Sequence, residues 1–427
     1  MKSNKQPLIN VELVAMAHGG QALGRAEGKT IFLPYALPGE VVRARITQDK
    51  GRVAFAEGVT LLEASVDRVF PECSHFGVKG CSRCQWQYID YPAQTQLKQD
   101  VLADQLARVG GFTSADVRDI TPSPLVWGYR HRMTFERVTH QQVSTWGLPA
   151  TVHGQIIPIE FCHILHPELM FLFDQIDFDT DKIKRISLQI GTEDDPMLVL
   201  HVDSEHDAPE LLSDLKASVN LILPTREPVN LIGDTHNRHQ INGVSIRATA
   251  GADFRPNVSA LGALVACVIA QIPAEGSVLD LYGGVGLFSA FVAPLIANQA
   301  DERIVTLVES YPPAATDAEF NLQDHDNVDI IEGVVEDVLS MLDDAETVYH
   351  VAILDPPHDG LTTEVIDLLG ERRIPRLIYV ADDPATLARD AQRLVKQGYQ
   401  LGAVYPFDLE PQTYRVTAVA ILDYNGG

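Results

Sequence analysis

The feature that most constrains this chain is the run Ser277-Val278-Leu279-Asp280-Leu281-Tyr282-Gly283-Gly284-Val285-Gly286-Leu287-Phe288. An apolar strand leads into a glycine-rich turn, and a helix is expected to follow. Glycine lets the backbone approach a ligand closely and adopt angles closed to other residues. A second apolar strand, Ile304-Val305-Thr306-Leu307-Val308-Glu309, ends in an acid about 25 residues past the turn. An open α/β sheet places a carboxylate there for ribose hydroxyls. From about residue 250 onward strands and helices alternate, which predicts an α/β domain with a mostly parallel sheet. A lone G-G-x-G is a weak signal; the strand before it and the acid after it predict a nucleotide-binding crevice.

The chain has 427 residues, 45% of them hydrophobic, enough for two or three packed domains. No uninterrupted apolar run reaches membrane-spanning length. Met1 to Val14 is polar and lacks a signal-peptide core. A cytoplasmic monomer is the expectation. The formal charge is −25, yet residues 1–150 carry 17 Lys and Arg against 14 Asp and Glu, a net of +3, leaving −28 for the rest. Phosphate contact needs local positive charge, so RNA is expected on the first third of the chain.

Residues 8–62 read as a small β-barrel. Val11 to Val14, Thr30 to Pro34 and Glu40 to Ile46 are strands, with turns at His18-Gly19-Gly20, Glu27-Gly28-Lys29 and Leu37-Pro38-Gly39. A helix is predicted over about 92–109 from the apolar spacing of Leu97, Val101, Leu102, Leu106 and Val109. Residues 112–245 are β-rich, with strands at Ser187 to Ile190 and Met197 to Val202 and a loop at Asp203 to Glu210.

Five cysteines argue against a disulfide framework and for a metal site. Cys73, Cys81 and Cys84 give C-x7-C-x2-C, and Cys162 follows. Such thiolates suit an iron–sulfur cluster or zinc, and spacing alone leaves both open. Cys267 sits in an apolar helix and reads as an inert thiol.

The segment Tyr379-Val380-Ala381-Asp382-Asp383-Pro384-Ala385-Thr386-Leu387-Ala388-Arg389-Asp390 resembles the active-site segment of the RNA (uracil-5-)-methyltransferases, Tyr-Val-Ser-Cys-Asn-Pro-x-Thr-Leu-Ala-Arg-Asp. The resemblance extends over nearly the whole chain. Gly20 to Arg25 and Phe32 to Glu40 are similar to a TRAM domain, an RNA-binding barrel in which Arg25, Lys29, Arg43, Arg45, Lys50 and Arg52 would meet phosphates. Pro71 to Gly77 and Cys84 to Tyr88 are similar to the family's [4Fe–4S] segment, which implies Cys73, Cys81, Cys84 and Cys162 as ligands; zinc remains the alternative. The glycine turn resembles that of class I S-adenosylmethionine (SAM) methyltransferases. It implies cofactor contacts from Asp280, Tyr282, Gly283, Gly284 and Gly286, with Glu309 on ribose, Glu332-Gly333 beside adenine and Asp355 lining the crevice. The implied architecture is multi-domain: an N-terminal OB-like barrel (1–62), a β-rich central domain with the cysteine segment (63–249) and a C-terminal Rossmann-like α/β methyltransferase domain (250–427).

Four positions depart from the family together. The family adds a Cys thiolate to uracil C6, lets the enolate attack the SAM methyl, and removes the C5 proton with a Glu. The nucleophile position holds Asp382 and the base position, in Pro411-Gln412-Thr413-Tyr414-Arg415-Val416-Thr417, holds Thr417. The Gln that touches base or cofactor is replaced by Arg255, and the Arg of D-P-P-R by His358. A carboxylate is far weaker at carbon than a thiolate, and Thr has no useful basicity near neutrality. The resemblance therefore implies a SAM-dependent methyltransferase of rRNA or tRNA whose nucleophile and base positions are both substituted. An inactive RNA- and SAM-binding relative is one alternative. Non-covalent methyl transfer, suggested by Asp355-Pro356-Pro357-His358, is the other. Buried charges persist mainly when paired, so Arg255 is expected against Asp382 or Asp383.

Overall fold

The structure is a computed structural model that describes residues 8–140, 143–176, 182–207, 215–297, 303–342 and 347–426. The first seven residues of the polar N-terminus and residues 208–210 of the expected acidic loop lie outside the described residues. Strands β1 (Leu8–Met16), β2 (Ala22–Ala26), β3 (Lys29–Leu33), β4 (Val41–Asp49) and β5 (Val53–Glu63) close into a barrel in the order β1-β2-β3-β5-β4. Alternation sends Val11, Leu13, Ile31, Leu33, Val42 and Ala44 inward. The buried carboxylate of Glu40 takes the Leu37 N–H at 3.1 Å and Arg68 Nη2 at 2.8 Å, fixing the chain that leaves the barrel.

The cysteine segment follows, then α1 (Tyr91–Arg108) and the short β6 (Asp116–Val117). Both belong to the far end of the chain. Leu102 and Leu106 of α1 enter the core of the C-terminal domain, and β6 pairs in parallel with that domain's sheet. The middle domain is a seven-stranded sheet, in the order β13-β12-β11-β10-β7-β8-β9. Its strands are β7 (Arg132–His140), β8 (Val143–Pro149), β9 (Ile156–Pro158), β10 (Arg185–Gln189), β11 (Met197–His201), β12 (Ser218–Ile222) and β13 (Pro228–Ile232). Helix α2 (Pro167–Phe173) packs into the same core. A separate hairpin, β14 (His236–Ile241) and β15 (Val244–Thr249), leads to the last domain.

That domain runs α3 (Val258–Ile269), β16 (Ser277–Leu281), α4 (Ser289–Ala297), β17 (Val305–Glu309), α5 (Pro312–Leu322), β18 (Val328–Glu332), α6 (Val335–Met341), β19 (Tyr349–Leu354), α7 (Thr363–Arg372), β20 (Arg376–Ala381), α8 (Pro384–Lys396), β21 (Tyr399–Phe407) and β22 (Thr417–Tyr424). Its sheet order is β18-β17-β16-β19-β20-β22-β21-β6. Val278, Val305, Val351 and Ile378 face one layer of helices, and Leu279, Leu281, Ala352 and Leu354 face the other. Burial on both faces is why these parallel strands are apolar throughout. The strand order reverses between β16 and β19, which places a crevice at their C-terminal ends.

The loop from β21 to β22 joins the domains. Lys98 of α1 and Asp408 form a fully buried pair at 2.6 Å, and Lys98 Nζ also donates to Glu410 O at 3.0 Å. Removing one partner of such a pair costs about 3–5 kcal/mol, because the other charge stays buried. Gln412 O accepts the N–H groups of Gln85 and Trp86 at 3.0 Å, and Tyr129 Oη donates to Pro411 O at 2.9 Å.

Candidate active-site crevice

The turn after β16 has the strained backbone a close ligand approach requires. Tyr282 (φ 60°), Gly284 (56°) and Gly286 (86°) all lie in the left-handed region. Holding the non-glycine Tyr282 there marks a site where the surrounding structure dictates the backbone. A Cβ at Gly286 would also press on Leu322 at 3.1 Å. Glu309, at the end of β17, fixes the turn from the side. Its Oε2 accepts the Gly284 N–H at 2.9 Å and its Oε1 the Tyr311 N–H at 2.7 Å. Gly333 N–H donates to Glu309 O at 2.9 Å, so the 332–333 turn stands beside the same acid. Asp280 is fully buried; Ser289 Oγ donates to its Oδ2 at 2.6 Å, while Oδ1 has no hydrogen-bond partner among the described residues. Burial pushes its carboxyl up to about 7.

The second half of the crevice gathers the four residues that sequence reasoning singled out for chemistry. Arg255 arrives from the segment after β15. Its Nη1 donates to Asp382 Oδ1 at 2.6 Å and its Nη2 to Asp355 Oδ1 at 2.5 Å. Thr417, first residue of β22, donates from Oγ1 to the same Asp382 oxygen at 2.7 Å. The expected pairing of Arg255 with Asp382 is found; Asp355 is a second partner that pattern reasoning did not supply. Asp383 is engaged elsewhere: it caps α8 by accepting the Thr386 N–H at 2.8 Å, and it meets His18 Nε2 of the barrel at 3.2 Å. Burial works against the Arg255 charge, but Asp355 and Asp382 outweigh it and hold the guanidinium above its usual range. Burial pushes Asp355 up to about 6, with the Asp382 charge adding and Arg255 opposing. At Asp382 burial also raises the carboxyl, but Arg255 and the Thr417 hydroxyl prevail and leave it below its ordinary value. The result is an ionised carboxylate tied to a cation. His358 is exposed on the loop beside it.

All four cysteines of the sequence motif line one pocket, together with Phe76, Arg83 and Phe161. Burial pushes the Cys81 thiol up to about 11, and raises Cys84 and Cys162 as well. Among the described residues no set of three or more His, Cys, Asp or Glu side chains is arranged to hold a metal ion. The donor set is therefore gathered in one cavity without closing on a centre. Cys267 is half-buried in α3, and burial pushes its thiol up to about 11, consistent with an inert thiol.

On the barrel, Arg25, Arg43, Arg45, Lys50 and Arg52 are exposed, while Lys29 pairs with Asp49. Sequence reasoning missed an aromatic platform beside them. Phe32 and Phe55 are cross-strand partners stacked at 5.5 Å, with Lys50 over the Phe55 ring at 5.1 Å. The parallel β3–β5 pairing that brings them together leaves no local signal. The barrel also reaches the crevice: Tyr414 lies against Gly20, where a Cβ would come within 2.8 Å of its ring.

Comparison with known proteins agrees with this architecture. Residues 8–59 match the TRAM domain family. The crystal structure of Pyrococcus abyssi tRNA (uracil-54, C5)-methyltransferase, in complex with S-adenosyl-L-homocysteine, superposes with a TM-score of 0.73 at 20% identity, covering 97% of this chain and 100% of that one. An uncharacterized RNA methyltransferase of Thermotoga maritima is 28% identical over 452 residues, covering 97% of this chain and 99% of the relative. Another from Streptomyces avermitilis is 31% identical over 430 residues, covering 97% of both chains. With fold, barrel and relatives that match 97% of the chain in agreement, the chain belongs to a family of RNA methyltransferases.

Proposed function

We propose that this chain binds SAM in the crevice and RNA, of the rRNA or tRNA class, through residues 1–150, and does not carry out its family's covalent C5 methylation. The observation that carries this reading is the Arg255 bridge between Asp355 and Asp382. The position of the attacking thiolate holds a carboxylate whose Oδ1 already accepts from a guanidinium and a hydroxyl. Neutralised in this way, it is poorer still as a nucleophile at carbon. The position of the base holds a hydroxyl that donates its hydrogen bond to that carboxylate and has no useful basicity toward a C5 proton near neutrality. SAM binding is supported by the strained turn, by Glu309 beside it, and by the position of Asp280 and Asp355 at the reversal of strand order. RNA binding is supported by the TRAM match and by the basic and aromatic face of the barrel.

A [4Fe–4S] cluster on Cys73, Cys81, Cys84 and Cys162 belongs to the same proposal, with zinc as the alternative. The four thiols in one pocket suit either. When bound, such a group would tie the cysteine segment to the central sheet. The raised thiols must lose their protons for that to happen.

The experiment is SAM methyl transfer to bulk RNA from cells lacking this protein, with nucleoside mass analysis, alongside calorimetric SAM binding and RNA binding by filter retention. Binding of both with no 5-methyluridine is the expected outcome. Formation of 5-methyluridine would overturn the reading of Asp382. Methylation at a nitrogen would select the non-covalent alternative at Asp355-Pro356-Pro357-His358.

A further inference from the structure

The body of the chain beyond residue 150 carries a net charge of −28. Within it the β14–β15 hairpin and its neighbours gather arginines onto aromatic rings. Arg238 and Arg247 both lie over Phe320 of α5, their guanidinium carbons 5.9 and 4.9 Å from the ring centroid. Arg226 lies over Tyr311 at 6.0 Å. Tyr311 Oη donates to Arg226 O at 2.6 Å and so holds Arg226 in a left-handed conformation (φ 68°) that non-glycine residues rarely adopt. Phe320 keeps 38% of its surface exposed.

Three acids near this face are engaged. Asp317 accepts from Thr249 and sits 2.8 Å from Arg247 Nε. Asp195 accepts the N–H groups of Gly191 and Arg238. Glu227 accepts from the Thr225 hydroxyl. Among the described residues neither Arg226 nor Arg238 has a carboxylate within ion-pair distance. Two guanidiniums positioned by rings and lacking an anion are what a phosphate backbone completes, and the exposed ring edge beside them offers a surface for a base.

The face is continuous with the crevice. Tyr311 follows Glu309 by two residues and takes its N–H to that carboxylate. Arg132 of the central sheet donates to Ala252 O at 2.8 Å, three residues before Arg255. A strand of RNA lying here would approach the SAM turn by way of Tyr311 and Glu309, whereas the barrel meets Asp383 and Tyr414.

We propose that the face carrying Arg226, Arg238 and Arg247 over Tyr311 and Phe320 is a second RNA-contact surface, taking single-stranded RNA by phosphate pairing and base stacking. This rests on the RNA-binding part of the proposed function and extends it beyond residues 1–150.

The test is RNA affinity of the full chain, measured by anisotropy with a labelled single-stranded oligonucleotide at several salt concentrations. The parent is compared with the double variant Arg226→Ala/Arg238→Ala and its Lys counterpart. Each phosphate contact to a single strand contributes about 0.7 to the slope of log affinity against log salt. The Ala pair should lower that slope by about 1.4, and the Lys pair should restore most of it. SAM binding by calorimetry and the thermal midpoint should match the parent, showing an intact fold. An Ala pair with the parent's affinity and slope overturns this inference alone. A parent that binds no RNA overturns the proposed function with it. Competition by polyglutamate as effective as by unlabelled RNA overturns the RNA assignment in favour of an acidic protein partner.

Discussion

Arg255 Nη1 stands 2.6 Å from Asp382 Oδ1, and the two residues are separated by 127 positions in the chain. The same guanidinium reaches Asp355 at 2.5 Å, so one cation bridges two carboxylates at the ends of adjacent strands. Replacing Arg255 with Met should leave both acids facing each other without a counter-charge. The arginine and Asp355 side chains are mostly buried, but Asp382 retains 44% exposure, which softens the penalty. Losing these charge-assisted bonds should cost about 1–3 kcal/mol in denaturant unfolding near neutral pH. The loss should shrink at pH 5, where Asp355, raised to about 6, is mostly protonated and one of the two charges is gone. A variant as stable as the parent at both pH values would show that the bridge is solvated and contributes nothing.

The bridge also sets what is needed to recover the family chemistry. Asp382→Cys with Thr417→Glu restores nucleophile and base, but leaves Arg255 held in place by Asp355. The triple variant with Arg255→Gln should therefore form 5-methyluridine in bulk RNA where the parent forms none, and should exceed the double variant. Equal inactivity of all three, with SAM binding intact, would mean that RNA no longer presents a uracil to this pocket.

Glu309 holds the glycine turn through Gly284 and the start of α5 through Tyr311. The proposed ribose contact would make it ligand as well as scaffold. Glu309→Ala should weaken SAM by roughly 1.5–3 kcal/mol, the range for a hydrogen bond to a charged group. Glu309→Gln retains acceptor capacity and should lose less. Calorimetry that returns the parent's affinity for the Ala variant would remove Glu309 from the cofactor site.

Much of this is legible in the sequence. The barrel could be read because inward and outward residues alternate between Gly turns, and the crevice because Gly284 and Gly286 occupy angles that favour glycine. The Arg255–Asp382 pair could be read because opposite charges had replaced neutral residues at two positions the family brings together. Other contacts had no local signal. The apolar face of α1 announces a helix but not which core receives it, and Leu102 and Leu106 enter a sheet whose strands begin some 170 residues later. Asp355 reads equally well as a cofactor residue until Arg255 is seen against it. The arginines over Phe320 come from two strands and stack on a ring of α5, a relationship set entirely by tertiary packing.

The cysteine pocket makes a direct prediction. Protein purified without oxygen should be brown and contain iron and sulfide near cluster stoichiometry, and Cys162→Ser, altering the buried thiol contributed by the central domain, should lower both. A colourless preparation carrying one zinc would replace the cluster with a zinc site on the same thiols. Chelator treatment should destabilise either form, because binding to the folded state alone adds to its stability.

Asp280 predicts a proton linkage in cofactor binding. Its carboxyl is fully buried; one oxygen accepts from Ser289, and the other has no hydrogen-bond partner among the described residues. Burial raises it to about 7 from an ordinary 3.8, with Asp355 and Glu309 adding to the effect. A carboxyl raised in the fold favours folding while protonated. That contribution is complete below the ordinary value and is lost as pH rises through about 7. Relative to Asp280→Asn, the cofactor-free protein should therefore lose stability between pH 5 and pH 8. SAM carries a sulfonium and an ammonium, and a cation beside Asp280 favours the charged carboxylate. Binding near pH 6.5 should then release a proton. The observed enthalpy should change between buffers of low and high ionisation enthalpy, and the change should fade at pH 8.5 and in Asp280→Asn. Enthalpies independent of buffer at pH 6.5, with binding intact, would show that no carboxyl in the crevice changes state and that Asp280 does not face the cofactor's charge.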